Sequence, residues 1–159
     1  EKLKSDLELR KDLKSKIPKD YLPMWLRERE IETRQVEPVD LLKAEKLPPY
    51  RSTWMKPTGK LPSDERIHQA LLLYVSDMGL LGAAVNPHEV NFMSKKFQSA
   101  SLDHVMWFHG KVNFNNWVLH HMHSPISQNA RGFSRGSIYT KSGKLIASTA
   151  QEGLMRIWD

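Results

Sequence analysis

LPSDERIHQALLLYVSDMGLLGAAV, residues 61–85, decides the fold. It opens with Pro62, Ser63 and Asp64, and either polar residue can accept from the orphan amides of a first helical turn. From Ile67 the stretch is apolar on every side, through Ala70, Leu71, Leu72, Leu73, Tyr74, Val75, Met78, Leu80 and Leu81. A helix without a polar stripe is expected to be buried all round. One carboxylate, Asp77, interrupts it, and a buried ion needs hydrogen bonds or neutralisation. Ser76 and Asp77 also read as a helix end, with Gly79 and Gly82 as stop signals. The uninterrupted apolar part falls short of the roughly 20 residues of a membrane span, so none is expected.

Working outward, the flanks read as strands. IETRQV at 31–36 is a short one, and YRSTWMKP at 50–57 is another, stopped by Pro57. Downstream of the helix and a loop entered at Pro87, QSASLDHVMWFHG at 98–110 reads as one long strand and WVLHHMHS at 117–124 as a further one. RGFSRGSIYT, the turn KSGK and LIASTAQEGLMRIW form a hairpin over 131–158. Five or six strands against one long helix give an α+β protein, an antiparallel sheet wrapped around a central helix. Residues 1–16 read as an exposed amphipathic helix or linker, and YLPMWL at 21–26 as an apolar anchor that docks elsewhere.

Composition narrows the chemistry. The 159 residues contain no cysteine, which excludes disulfides, thiolate metal sites and a thiol nucleophile. The net charge of +6 is uneven: residues 1–46 hold 12 Lys/Arg against 11 Asp/Glu, and residues 47–159 hold 12 against 7. Such an excess suits an anionic ligand or, as a rival reading without a recognisable motif, nucleic acid. Nothing near Glu1 reads as a signal peptide, so an intracellular protein is expected; starting without Met, the chain reads as processed or as a fragment.

Two motifs are decoys. Gly132-Phe133-Ser134-Arg135-Gly136 matches a serine-hydrolase pattern that needs a strand, a sharp turn and a helix, yet it lies inside an alternating strand. His120, His121 and His123 suggest metal, but on a strand only His121 and His123 share a face, and no third ligand lies nearby. A third constellation carries chemistry. Ser101 and Asp103 share one face of the long strand with His104 on the other, while Gln151 shares a face with Ala147 and Thr149. If those faces meet the helix, Asp77, Ser101 and Gln151 converge. An acid, a hydroxyl and an amide can then hold a water while the carboxylate accepts its proton.

YVSD at 74–77, SLDHVMWFH at 101–109, ARGFSRG at 130–136 and ASTAQEG at 147–153 resemble the C-terminal half of the type-II acyl-CoA thioesterases, a double-hotdog family with bacterial and peroxisomal members. The resemblance runs from about residue 30 to the end. It implies a hotdog domain over 31–159, with 1–30 the linker or tail of a preceding domain. It also implies hydrolysis of acyl-CoA to fatty acid and coenzyme A without a cofactor, by the catalytic set Asp77, Ser101 and Gln151. The acyl chain is then expected between helix and sheet, with Arg131, Arg135, Lys95 and His104 as substrate-binding residues. The implied partners are the N-terminal hotdog half and further copies of the chain. The compartment would be the peroxisomal matrix or the cytoplasm; no C-terminal SKL-type signal follows Trp158-Asp159. A half that is only structural without its partner is the alternative.

Overall fold

A computed structural model describes residues 2–40, 42–90 and 94–158. In chain order they form α1 (Asp6–Asp12), α2 (Leu22–Trp25), β1 (Ile31–Gln35), β2 (Tyr50–Pro57), α3 (Glu65–Ser76), α4 (Leu80–Val85), β3 (Phe97–Ser101), β4 (Val105–Phe108), β5 (Val118–Gln128), β6 (Arg131–Thr140) and β7 (Leu145–Ile157), with short 3-10 turns between. Part of the loop entered at Pro87, residues 91–93, lies outside the described residues.

The stretch that decides the fold is helical but broken. Asp64 is the N-cap, its carboxylate accepting from Arg66 N–H. At the other end Asp77 is the C-cap, and Gly79 adopts a left-handed φ of 86° before α4 begins. Only glycine takes that conformation without a Cβ penalty, so the helix stops where Ser76 and Asp77 read as an end. Leu72 and Val75 are fully buried among Met55, Phe114, Val118, Ile138 and Ile146. The expectation of burial all round is corrected: Ile67, Tyr74 and Met78 face solvent, Tyr74 at 63%. Ile67 and Tyr74, seven residues apart, share one stripe of α3, and Met78 follows in the turn after its end. Composition marked both faces as apolar; only the sheet's extent decides which one is covered. The membrane-length apolar segment Glu65–His88 is thus the core helix pair of this fold, half buried against the sheet.

The sheet is antiparallel, in the order β1-β2-β5-β6-β7-β3, with β4 also paired to β7. The described residues thus hold seven strands, one more than expected, because the long strand read at 98–110 is two. Ser101 pairs with Gly153 and Val105 with Ala150. Residues 102–104 therefore face only 151 and 152, a one-residue bulge. Leu102 N–H donates to Glu152 O (2.9 Å), while Glu152 N–H donates to Asp103 Oδ1 (2.7 Å). The bulge flips every later side chain to the other face. The hairpin reading holds: Gly143 takes φ 84° at the turn between β6 and β7.

The N-terminal segment has its own local contacts. α1 carries a capping box, with Ser5 Oγ accepting from Glu8 N–H and Glu8 Oε2 accepting from Ser5 N–H. Arg10 is buried, ion-paired to Asp6 at 2.9 Å, and donates to the carbonyls of Trp25 and Arg27. Trp25 Nε1–H donates back to Arg10 O at 2.9 Å. Trp25 is thus the buried part of YLPMWL, whereas Tyr21 and Met24 stay exposed.

Candidate active site

Asp77 sits where α3 ends, and its side chain is 48% exposed, so the expected buried ion is instead a carboxylate at the mouth of the site. Its Oδ1 accepts from Ser101 Oγ at 3.1 Å and from Gln151 Nε2 at 2.5 Å. Gln151 Nε2 also donates to Ser101 Oγ. A carboxylate only accepts, so the amide must turn its NH2 towards Asp77. Gln151 is 1% exposed, and its Oε1 is buried without a hydrogen-bond partner. Three elements converge here: the end of α3, the last residue of β3 and the middle of β7. The arrangement leaves a carboxylate open to solvent, braced by two donors, beside an amide oxygen with spare acceptor capacity. That set can orient a water and take its proton.

His104 joins this cluster, contrary to the alternation that put it on the opposite face from Ser101. The bulge turns it inward, with its Nε2 2.8 Å from Ser76 Oγ and its Nδ1 3.9 Å from Asp77 Oδ1. Asp103 is correspondingly taken up by the Glu152 amide. Ser76, read in the sequence only as a helix terminator, is fully buried and donates to Leu73 O at 2.8 Å. No periodicity marks it; the only signal was its place beside Asp77.

Three expected substrate contacts are not brought to Asp77. Gly132 and Ser134 face the helices, so Arg131 and Arg135 point away from them on β6. Arg131 lies 3.5 Å from Glu152, and Arg135 stacks 5.4 Å from the Phe133 ring centre. Lys95 is exposed in the turn before β3, six residues or roughly 20 Å of extended chain from Ser101. The helix–sheet interface, expected to hold an acyl chain, is filled by core side chains. A groove of about 290 Å3 lies instead beside the open face of α3, between Met24, Arg27, Arg29, Ile31, Tyr74 and Met78.

The decoys resolve structurally. Ser134 is fully buried within β6. A Cβ on Gly132 would come within 2.5 Å of Ala84 and Met155, and one on Gly136 would strike His120 and Thr149. These glycines serve close packing. His120 is fully buried, with Nε2 3.4 Å from Thr149 Oγ1, and burial pushes its pKa down to about 3. His121 bonds Ser52 on the other face. Among the described residues no three His, Cys, Asp or Glu side chains gather to hold a metal.

The acyl-CoA thioesterase family profile matches residues 25–154. Acyl-CoA thioesterase 2 of Haemophilus influenzae is 36% identical over 140 residues, covering 88% of this chain and 49% of that protein. The crystal structure of an acyl-CoA thioesterase II from Mycobacterium marinum superposes with a TM-score of 0.68 at 32% identity, over 80% of this chain and 49% of the other. A hot-dog-fold protein of unknown function from Alicyclobacillus acidocaldarius superposes at 0.60 with 14% identity, over 83% and 47%, which supports the fold alone. The fold is the hotdog, and the chain spans about half the length of the relatives it matches. On sequence and architecture together, this chain belongs to the acyl-CoA thioesterase family.

Proposed function

We propose that this domain hydrolyses acyl-CoA to a free fatty acid and coenzyme A, with Asp77 as the base. The observation that carries the reading is the convergence of Ser101 and Gln151 on one oxygen of an exposed carboxylate, in a chain of this family. Asp77 takes a proton from a water held by the Gln151 amide and Ser101. The water oxygen attacks the thioester carbonyl, and a backbone N–H stabilises the oxyanion. Thiolate departs without a dedicated acid. The groove offers Met24, Ile31, Tyr74 and Met78 to an apolar chain, and its Arg27 and Arg29 are paired to Glu30 and Asp6. Arg131, Arg135, Lys95 and His104 remain the earlier candidates for substrate contact, of which only His104 adjoins Asp77.

A second reading is favoured by the exposed stripe Ile67, Tyr74 and Met78, and by the half-length match. In it the stripe is covered by an N-terminal hotdog half or another copy, and hydrolysis appears only in that assembly. Residues 1–30 then serve as the connector and 31–159 as the catalytic domain, in an intracellular, peroxisomal or cytoplasmic protein. Release of coenzyme A from short, medium and long acyl-CoAs, by this chain alone and with an N-terminal half added, separates the readings. No release in either state overturns the thioesterase proposal.

A further inference from the structure

Ser76 has one hydroxyl hydrogen, and Leu73 O, an acceptor only, lies 2.8 Å away. With that hydrogen given to Leu73 O, Ser76 Oγ accepts from His104 Nε2 at 2.8 Å, and on that ground we assign the imidazole proton to Nε2. The neutral ring therefore presents a bare Nδ1. This atom is buried, has no hydrogen-bond partner, and lies 3.9 Å from Asp77 Oδ1. Two acceptors facing each other across that gap gain nothing until one of them carries a proton.

We propose that His104 is a positioning residue for Asp77, anchored through Nε2–H on Ser76 so that Nδ1 receives a hydrogen bond from the carboxyl group once Asp77 has taken the proton of the attacking water. This rests on Asp77 being the base of the thioester hydrolysis proposed above. As the water oxygen bonds to the carbonyl carbon, its O–H bond breaks and the proton moves to Asp77. A closure of about 1 Å then brings the carboxylic acid into hydrogen-bond range of Nδ1. Thiolate departs as the C–S bond breaks, Asp77 then gives the same proton up to solvent, and His104 and Asp77 return to their starting states. The contact exists only after proton transfer begins, so it lowers the barrier without tightening substrate binding.

The surroundings leave few competitors for this role. From α3 the only charge facing His104 is Asp77. From β5 the neighbour is His120, kept neutral by burial. Asp103, on the bulge itself, is occupied by the Glu152 amide, and Glu152 on β7 turns outward to Arg131.

The test is His104→Gln, which keeps an N–H for Ser76 but has no titrating ring, beside Ser76→Ala, which keeps the ring and removes its anchor. For His104→Gln we expect kcat to fall about 10- to 100-fold, the lower part of the usual acid–base range, with KM little changed. Nitrogen NMR of the wild-type imidazole should show the Nε2–H tautomer, lost or mixed in Ser76→Ala. A wild-type protein that hydrolyses no thioester, alone or assembled, overturns the thioesterase reading itself. An active enzyme whose His104→Gln variant keeps kcat, or whose imidazole carries its proton on Nδ1, overturns only the role given to His104.

Discussion

Replacing Asp77 by Asn separates catalysis from architecture at one atom pair. Asn Oδ1 can still accept from Ser101 Oγ and Gln151 Nε2, so both bonds to this residue survive. Losing the charge weakens each by about 1 kcal/mol, the difference between charged and neutral acceptors. Against this, a negative charge at the C-terminal end of α3 opposes the helix dipole, and its removal returns about 0.3–1 kcal/mol. Half the side chain is in solvent, which damps both terms. The net loss is about 1 kcal/mol or less, a shift of a few degrees in Tm for a domain of this size. The chemical loss is larger. An amide cannot take the water proton, and base contributions of about 10²–10⁴ correspond to roughly 3–5 kcal/mol of barrier. The assay pairs coenzyme A release with thermal melting on one preparation of the active assembly. A variant that melts normally and still turns over near the wild-type rate would refute Asp77 as the base. A large fall in Tm would show that Asp77 mainly holds the helix end.

Gln151→Ala should lower kcat and kcat/KM together, because the amide aligns water in the transition state; a rise in KM alone would make Gln151 a binding residue. Gln151→Glu sets a second carboxyl within hydrogen-bond distance of Asp77, so one of the two must stay protonated. Its activity near neutral pH should be lost with the fold intact by circular dichroism. His120 lends the folded state an acid sensitivity. Between about pH 6.5 and pH 3 the unfolded chain binds a proton that the buried ring refuses, so stability falls as pH falls, at up to about 1.4 kcal/mol per unit. Urea titrations across that window should show a flatter dependence in His120→Gln, and an unchanged slope would contradict burial as the cause. Finally, Tyr74→Glu with Met78→Glu should abolish self-association or pairing with an N-terminal half, read by light scattering. A wild-type chain that stays strictly monomeric and binds no such half would remove the basis for the covered stripe.

The catalytic candidates were legible because their positions depend on short-range rules. Gln151 follows from alternation along β7, and Ser101 from alternation along β3, up to but not through the bulge. Asp77 stood out as the one charge in an apolar run. His104 was misplaced because a bulge is a pairing event: nothing in SLDH alone shows that 102–104 will face only two partners, and that depends on Asp103 capturing the Glu152 amide. A single extra residue then reverses the side-chain parity that sequence reading extrapolates. The basic candidates lie away from Asp77 for a related reason. Arg131 and Arg135 flank glycines and a serine that the helices require on the inner face, so packing at Gly132 and Gly136 commits both arginines to the outer one. The open stripe of α3 was hidden differently again. Hydrophobicity measures how much a residue gains from leaving water, whereas the identity of the covering surface is carried by other chains or other domains. Tyr74 on α3 and Met78 in the turn after it flank Asp77 in sequence, so under the proposed assembly a partner covering them would also shape the approach to Asp77. The activity of the lone chain, compared with the assembled one, is the measurement that bears on both assembly and approach.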